Sequence, residues 1–257
     1  MQRTLILAAM LLLAGCVEPV STTLSTDTVP TASAVDENET MPAPPPEVTI
    51  AFDVPNVTKA ESATLFVNST GPVLAVVTVE GIEALREDVE TATTSTVSLT
   101  YGRNEINVTL SAGGLETQST YEIVRLGMTT VQLDFGVFHP ASNGMPRSES
   151  FDVWVDVDAR PSAPAYAAEG IANMDAFTAH DQLILFEQTT GKKVVYEFFP
   201  SFQGFGVSRI DGAGSAVSSD APPWWCYEVN GGSADGISIQ PIVPGDVASW
   251  ALGSCTG

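Results

Sequence analysis

The fold class is decided by the stretch Phe151-Asp152-Val153-Trp154-Val155-Asp156-Val157-Asp158. Phe151 and the three valines take every second position, which is the period of a β-strand that buries one face. The opposite face carries Trp154 and the three aspartates. Those aspartates raise the alternative of a calcium site, but no glycine-turned loop with a closing glutamate follows them. The pattern therefore favours a strand with one solvated face.

Similar short runs fill residues 47–127, which precede this stretch. Apolar residues alternate there with polar or small ones, and the breaks between runs fall at Gly71-Pro72, Gly102-Arg103-Asn104 and Gly113-Gly114. The predicted strands are 48–52, 64–67, 73–79, 96–101, 105–110 and 120–124. Short strands at this density predict a small β-sandwich.

One segment of this region carries a family resemblance. The stretch Tyr101-Gly102-Arg103-Asn104-Glu105-Ile106-Asn107-Val108-Thr109 resembles the late hairpin of bacterial and archaeal Ig-like surface domains. The resemblance implies an Ig-like β-sandwich over residues 47–127 that spaces and presents other domains. The alternative is a different small sandwich with the same role.

Residues 128–257 combine strand patterns with one helical pattern. Ala172, Ala176, Ala179 and Leu183 recur at helical spacing and predict one helix over residues 171–184. The strands predicted around it are 131–135, 151–157, 193–199, 205–210, 225–229, 237–242 and 247–252. This order is typical of a small β-rich α+β domain. The fold class predicted for the chain is therefore mainly β, an Ig-like β-sandwich followed by that α+β domain.

Three blocks near the C-terminus carry a second resemblance. They are Gly204-Phe205-Gly206-Val207-Ser208-Arg209-Ile210-Asp211-Gly212, Trp224-Trp225-Cys226-Tyr227-Glu228-Val229-Asn230-Gly231, and Pro244-Gly245-Asp246-Val247 with Trp250. Together they resemble the DUF4430 family, the transcobalamin-like C-terminal domain, over about residues 130–253. Residues 128–257 are accordingly predicted to form such a domain.

The resemblance implies a ligand. In cobalamin carriers this domain supplies one wall of the vitamin site, opposite a separate helical barrel. It therefore implies a binding edge at Trp224, Trp225, Tyr227 and Asn230 for a small molecule such as a corrinoid, or for a partner protein. This chain has no stretch long and helical enough to be the barrel, so a corrinoid would need a partner that supplies the other half.

The same aromatic block has a structural interpretation. Alternation along a strand puts Trp225 and Tyr227 on one face and Trp224 and Cys226 on the other, so one set is expected in the core. Asn230-Gly231 is expected to form a hairpin turn, because both residue types tolerate a positive φ.

The first residues predict export and a lipid anchor. Arg3 precedes an apolar run over residues 5–14, which is shorter than the roughly 20 residues that a membrane span needs. The run ends in Leu13-Ala14-Gly15-Cys16, which resembles the lipobox of prokaryotic lipoproteins. The sequence thus predicts a lipoprotein signal peptide over residues 1–15, a lipid on Cys16 and a place on the extracytoplasmic face of the cell membrane. A plain signal peptide is the alternative.

Composition predicts a stalk and an acidic surface. Residues 16–46 are rich in Ser, Thr and Pro without an apolar period, and are predicted to be a disordered tether. The net charge of −21 disfavours nucleic acid as a partner and favours solubility in salty surroundings, with an acidic ligand-binding surface as the alternative. N-glycosylation sequons begin at Asn38, Asn56, Asn68 and Asn107. Export, acidity and sequons together suggest an archaeal source as a hypothesis.

The cysteines and histidines indicate whether a disulfide or a metal site is to be expected. With Cys16 acylated, Cys226 and Cys255 remain as an even pair in an oxidising location and predict a disulfide, with two buried free thiols as the alternative. The two histidines, His139 and His180, are isolated in sequence and no Cys-x-x-Cys occurs, so neither a metal nor another cofactor is expected.

Function follows from these features taken together. No nucleophile elbow, phosphate loop or zinc-protease motif is present, which disfavours an enzyme. The leading hypothesis is a lipid-anchored binding module that presents the transcobalamin-like domain to a small molecule or a partner protein. The alternative is a structural or adhesive cell-surface protein without a small-molecule ligand.

Overall fold

The computed structural model describes residues 20–23, 44–171, 176–201, 203–215 and 223–253. Strands dominate it, so the predicted mainly β fold class is confirmed. The chain divides into two compact units, which are Met1–Leu99 with Asn104–Ile123 and Thr100–Arg103 with Val124–Gly257. Each unit encloses a hydrophobic core of its own.

The first unit is a sandwich of two sheets around one core. Its strands are β1 (Val20–Thr23), β2 (Glu47–Phe52), β3 (Val57–Thr58), β4 (Ser62–Ser69), β5 (Val73–Val79), β6 (Ile82–Val89), β7 (Ala92–Ser98), β8 (Gly102–Ala112) and β9 (Leu115–Arg125). One sheet has the order β1-β2-β4-β7 and is antiparallel throughout. The other has the order β3-β9-β8-β5-β6. Alternate residues such as Ile50, Val77 and Val108 are fully buried between the sheets.

Three features of the first unit differ from the sequence analysis. Strand β1 lies inside the segment predicted as an unstructured tether and pairs with β2. Strand β6 was not predicted, because it pairs with β5 alone and most of its side chains are exposed, so it has no apolar alternation. The expected hairpin over 101–109 is wrong. Residues 102–109 belong to the single strand β8 and contain no turn. Within that strand Asn104 is buried, and its side-chain amide donates to the Ile123 carbonyl at 3.1 Å.

The second unit is one mixed sheet with a helix and a strand pair on one face. Its elements are β10 (Gly127–Gly136), β11 (Arg147–Val155), α1 (Ala163–Ala168), α2 (Ala179–Thr190), β12 (Val194–Phe199), β13 (Gly204–Ile210), β14 (Trp224–Val229), β15 (Gly232–Ser233) and β16 (Val247–Gly253). The sheet has the order β11-β10-β16-β14-β15, in which only the β10–β16 pairing is parallel. Core residues of α2, β12 and β13 cover its inner face.

The predicted single helix over 171–184 is corrected to two helices, of which α2 is the longer. Thr178 caps α2 and forms a capping box with Asp181, so the helix starts seven or eight residues later than the alanine spacing suggested. Gly191 ends it with a φ of 73°. The short α1 was not predicted.

The strand predicted over 237–242 is also wrong. The amides of Ile239 and Gln240 both donate to the Gly236 carbonyl, at 2.9 and 3.0 Å, and close a turn. Ile237 and Ile242 still reach the core, whereas Ile239 is exposed. The alternation of Ile237 and Ile239 therefore resembled that of a strand, although only the first of these two is buried.

Candidate functional site

The predicted binding edge lies on β14, where Trp225 belongs to the core. The side chain is 8% exposed, and its ring meets that of Phe135 edge-on with 5.3 Å between centroids. Its indole N–H donates to the carbonyl of Ala213 at 3.0 Å. The indole ring thus packs in the core, and its N–H is hydrogen-bonded within the protein.

Tyr227 is held in the same layer. Its ring stacks on Trp250, with 4.5 Å between centroids and 12° between planes, and its hydroxyl donates to the Asp235 carbonyl. Burial, reinforced by the nearby Asp235 charge, raises the pKa of this hydroxyl. Because one ring face lies on Trp250, Tyr227 does not offer both faces to a flat ligand.

Asn230 joins two turns. It has a φ of 54° and Gly231 one of 74°, as expected for the predicted hairpin turn between β14 and β15. The Asn230 amide nitrogen donates to Asp246 Oδ1 at 2.7 Å, and its Oδ1 accepts from the Val247 N–H at 2.9 Å. The amide nitrogen and the amide oxygen of Asn230 therefore both stabilise the turn at Asp246.

Trp224 points the other way from Trp225 and Tyr227, since neighbouring residues of a strand face opposite sides. The four predicted binding residues therefore do not converge on one surface. Trp225 and Tyr227 lie on the inner face of the sheet, Trp224 lies half-buried on the outer face, and Asn230 lies at the end of the strand.

An open groove of about 540 Å³ lies on the outer face of the same sheet. It is lined by Gln132, Leu133, Asp134, Ser148, Glu149, Ser150, Ser249, Trp250 and Ala251, from β10, β11 and β16. Strand register arranges the outward side chains in two rows. Gln132 stands between Ser150 and Ser249, and Asp134 stands between Ser148 and Ala251. Short serine and alanine side chains on both sides of β10 leave the space that forms the groove.

Hydrogen bonds within the groove hold the side chains of Gln132 and Asp134. Ser249 Oγ donates to Gln132 Oε1 at 3.2 Å. Asp134 Oδ1 accepts from Ser148 Oγ at 3.2 Å and from the Gly136 N–H at 2.9 Å. The carboxylate is thus oriented by the bulge that ends β10. Neither Gln132 nor Asp134 was predicted as a site residue, although both alternate with the buried Val131, Leu133 and Phe135.

A closed network of charges lies near one end of this sheet. His139, predicted as isolated, is its centre. Its Nδ1 accepts from the Ala141 N–H and from Arg147 Nη1, each at 3.0 Å, so Nε2 carries the hydrogen. That nitrogen lies 3.4 Å from Asp211 Oδ2.

Lys192 closes the network. Its Nζ lies 2.5 Å from Asp211 and 3.1 Å from Glu149, which also pairs with Arg147. Burial alone raises the pKa of Glu149, but hydrogen bonds from Lys192 and Arg147 outweigh it and leave that pKa below its ordinary value. The hydrogen bond from Lys192 likewise lowers the pKa of Asp211. Every charge has a partner of opposite sign, so the network ties the 139–147 loop to the neighbouring strands.

The other histidine is enclosed by aromatic rings. His180 is 1% exposed, and its ring lies 4.4 Å from that of Tyr196 and 5.0 Å from that of Phe205. Its Nδ1 lies 3.1 Å from the Tyr166 hydroxyl. Burial lowers the pKa of His180 to about 4, although the Asp181 charge acts in the opposite direction. This imidazole is therefore neutral at neutral pH.

The predicted modification sites are only partly within the described residues. Cys16, Asn38 and Cys255 lie outside them. Cys226 is disulfide-bonded, and pairing with Cys255 stays a prediction. Asn56 and Asn68 are exposed. Asn107 is half-buried, with its amide nitrogen donating to Glu105 at 2.7 Å and its oxygen accepting from Thr120 at 2.6 Å.

Searches for metal sites and for membrane spans gave no candidate in the part of the chain that the structure describes. No group of three or more His, Cys, Asp or Glu side chains could hold a metal ion there. No helix of that part is long and apolar enough to cross a membrane. Comparison with known proteins found no matching family model, no similar curated protein and no similar solved structure.

Proposed function

We propose that this chain is a lipid-anchored extracytoplasmic binding module whose second unit presents a ligand surface. The observation that carries the proposal is the groove on the outer face of the β11-β10-β16-β14-β15 sheet. The inner face of that sheet is used in forming the core, whereas the polar side chains of Gln132, Asp134, Ser148 and Ser249 contribute nothing to it. A concavity into which a few polar side chains converge is the usual form of a ligand-binding site.

The N-terminal sequence supports the location in this proposal. The apolar run over residues 5–14, followed by Leu13-Ala14-Gly15-Cys16, favours export and acylation. The lipid on Cys16 would hold the module at the membrane. The ligand is a small molecule or a partner protein, with a corrinoid as the candidate that the transcobalamin-like resemblance supplies.

A structural or adhesive role is the second candidate, and one observation favours it. Trp225 and Tyr227 are packed into the core instead of lining an open surface. A module that only spaces other proteins needs no more than such a core. The groove distinguishes the two proposals, because a binding module needs a ligand site whereas a module that only spaces other proteins does not.

The test is a ligand screen on the full chain in detergent, read by differential scanning calorimetry. The screen includes cobalamins and other corrinoids, neutral sugars, amines and organic anions. A ligand of the groove raises the unfolding temperature, and the rise grows with the logarithm of the ligand concentration once that concentration exceeds the Kd. Calorimetry is chosen because corrinoids absorb the light used in fluorescence.

Two variants show whether a ligand found in the screen binds in the groove. Ala251→Tyr fills the groove from an exposed position, so it should abolish the thermal shift without touching the core. Ala92→Tyr places the same ring on an exposed strand position of the first unit and should leave the shift intact. A screen without any shift, or a shift that persists in Ala251→Tyr, would favour the structural role.

A further inference from the structure

The groove contains one carboxylate that has no ion-pair partner. Its two charged lining side chains are Asp134 and Glu149, and none of the lining residues is Lys, Arg or His. Glu149 forms ion pairs with Lys192 and Arg147. Asp134 accepts two hydrogen bonds, both through Oδ1, so its Oδ2 has no partner among the residues that the structure describes. The Asp134 charge is therefore available to a ligand.

The Asp134 carboxylate is also held in a defined orientation. The Gly136 N–H donates to Oδ1 at 2.9 Å from the bulge that ends β10, and the Ser148 hydroxyl donates to it at 3.2 Å from the neighbouring strand. A group that is fixed before binding loses little further conformational freedom when a ligand arrives. The Oδ2 atom of Asp134 is thus a preorganised acceptor for a positively charged donor.

The surrounding sheet face offers no positive charge that would compete for Asp134. The outward positions of β10, β11, β14 and β16, as far as the structure describes these strands, hold no Lys, Arg or His. Two further acids lie there, Asp152 opposite Thr130 and Glu228 opposite Ser249. The net charge of −21 attracts cations to the chain as a whole. The groove differs from a merely acidic surface because it places an oriented carboxylate in a concavity.

The rest of the lining suits the carbon body of an organic ion. Most of it is carbon, from strand backbone and from small side chains such as that of Ala251. A Ca²⁺ ion takes about six to eight oxygen ligands, which one carboxylate does not supply. An uncharged apolar molecule would remove water from Asp134 without replacing its hydrogen bonds. The volume of about 540 Å³ is typical of small-molecule sites.

We propose that the groove binds a small organic cation, an amine whose ammonium group donates to Asp134 Oδ2 and whose carbon body lies along the lining. The proposal rests on the proposed binding function and specifies its ligand class. It requires neither Trp225 nor Tyr227, which lie on the inner face of the sheet.

The test is isothermal titration of the full chain in nonionic detergent with three amines, namely hexylamine, cyclohexylmethylamine and 2-phenylethylamine. Each is compared with the alcohol and the carboxylate of the same carbon body, and titration into micelles alone corrects for partition. Such amines are protonated at pH 7, like a lysine side chain. At least one should bind saturably and more tightly than its alcohol and its carboxylate. Its Kd should rise between about 50 mM and 1 M NaCl, because salt screens the ion pair.

One substitution removes the charge without changing the shape of the groove. Asp134→Asn keeps an oxygen for both hydrogen bonds and should weaken the Kd of the amine by about tenfold or more, the effect of losing a hydrogen bond to a charged group. It should also remove most of the salt dependence. Asp88→Asn changes the net charge equally at an exposed position of the first unit and should leave the Kd unchanged. Calorimetric unfolding verifies the fold of each variant.

The outcomes separate this proposal from the function on which it rests. An alcohol that binds as tightly as its amine, or an amine whose Kd is the same in Asp134→Asn, would overturn the cation proposal. The binding function would still stand if Ala251→Tyr abolished that binding. Failure of all three amines, with a corrinoid, sugar or anion lost in Ala251→Tyr, would likewise overturn the cation alone. Failure of every ligand class would overturn both.

Discussion

At the residue scale, the position of Trp225 depends on the glycine that faces its indole nitrogen. Gly214 has a φ of 112°, in a region that side chains other than glycine rarely adopt. A Cβ there would stand 2.3 Å from the Ser208 carbonyl oxygen and 2.9 Å from Trp225 Nε1. The neighbouring Ala213 carbonyl accepts the indole N–H, so backbone conformation and tryptophan packing are fixed together.

Gly214→Ala should therefore destabilise the protein strongly. Overpacking and the positive φ together should lower the free energy of unfolding by about 3 kcal/mol or more. Gly253→Ala is the matched control, because no atom of the described residues lies within 4 Å of its Cβ and its φ lies outside the left-handed region. It should change stability by less than about 1 kcal/mol. Urea denaturation compares the two variants, and equal effects would contradict this account of Gly214.

His180 makes stability depend on pH. Its pKa is lowered from the ordinary 6.5 to about 4 in the folded protein, so the unfolded chain binds a proton first as pH falls. The free energy of unfolding should fall between about pH 6.5 and pH 4, by up to roughly 3 kcal/mol from this group. His180→Phe keeps the aromatic packing and should lack this part of the slope. Parallel pH profiles of wild type and variant, measured by denaturation, would show that His180 does not carry it.

At the scale of elements, α2 begins where one buried carboxylate satisfies several donors. Asp181 accepts from the backbone and the hydroxyl of Ser162, at 2.9 and 2.6 Å. It also accepts from the backbone and the hydroxyl of Thr178, both at 2.9 Å. It thus joins the start of α2 to the start of α1, and it is 1% exposed.

Asp181→Ala should unfold this junction. It removes the capping box and leaves buried donors unsatisfied, at a cost of roughly 3 kcal/mol or more. Asp181→Asn keeps one acceptor oxygen and should cost less. Glu187→Ala, which changes a less buried carboxylate of the same helix, should be the mildest. Denaturation curves give the order, and an Asp181→Ala variant as stable as Glu187→Ala would refute the role of the carboxylate.

The elements that the sequence predicted are those with one buried and one solvated face. Strands such as β8 and β10 were predicted because every second residue is apolar. The exposed edge strand β6 has no such alternation. The groove could not be predicted from local patterns, because it depends on the parallel pairing of β10 with β16. Gln132 and Ser249 meet there across 117 residues of sequence.

At the scale of the whole molecule, net charge and anchor act together. A chain with a net charge of −21 is repelled by an anionic membrane surface, so electrostatic adsorption cannot hold it there. Acyl chains bind through buried CH₂ groups instead, and stable anchoring takes two of them. The proposed lipid on Cys16 is therefore the feature on which membrane attachment of this binding module depends.

The most direct measurement of this central claim is cell fractionation with mass spectrometry of the N-terminal peptide, for wild type and Cys16→Ser. The wild-type protein should be in the membrane fraction, begin at Cys16 and carry the mass of acyl chains. Cys16→Ser should leave the membrane fraction. A wild-type protein that begins at Met1, or an unmodified Cys16 with the two proteins fractionating alike, would contradict the lipid-anchored module.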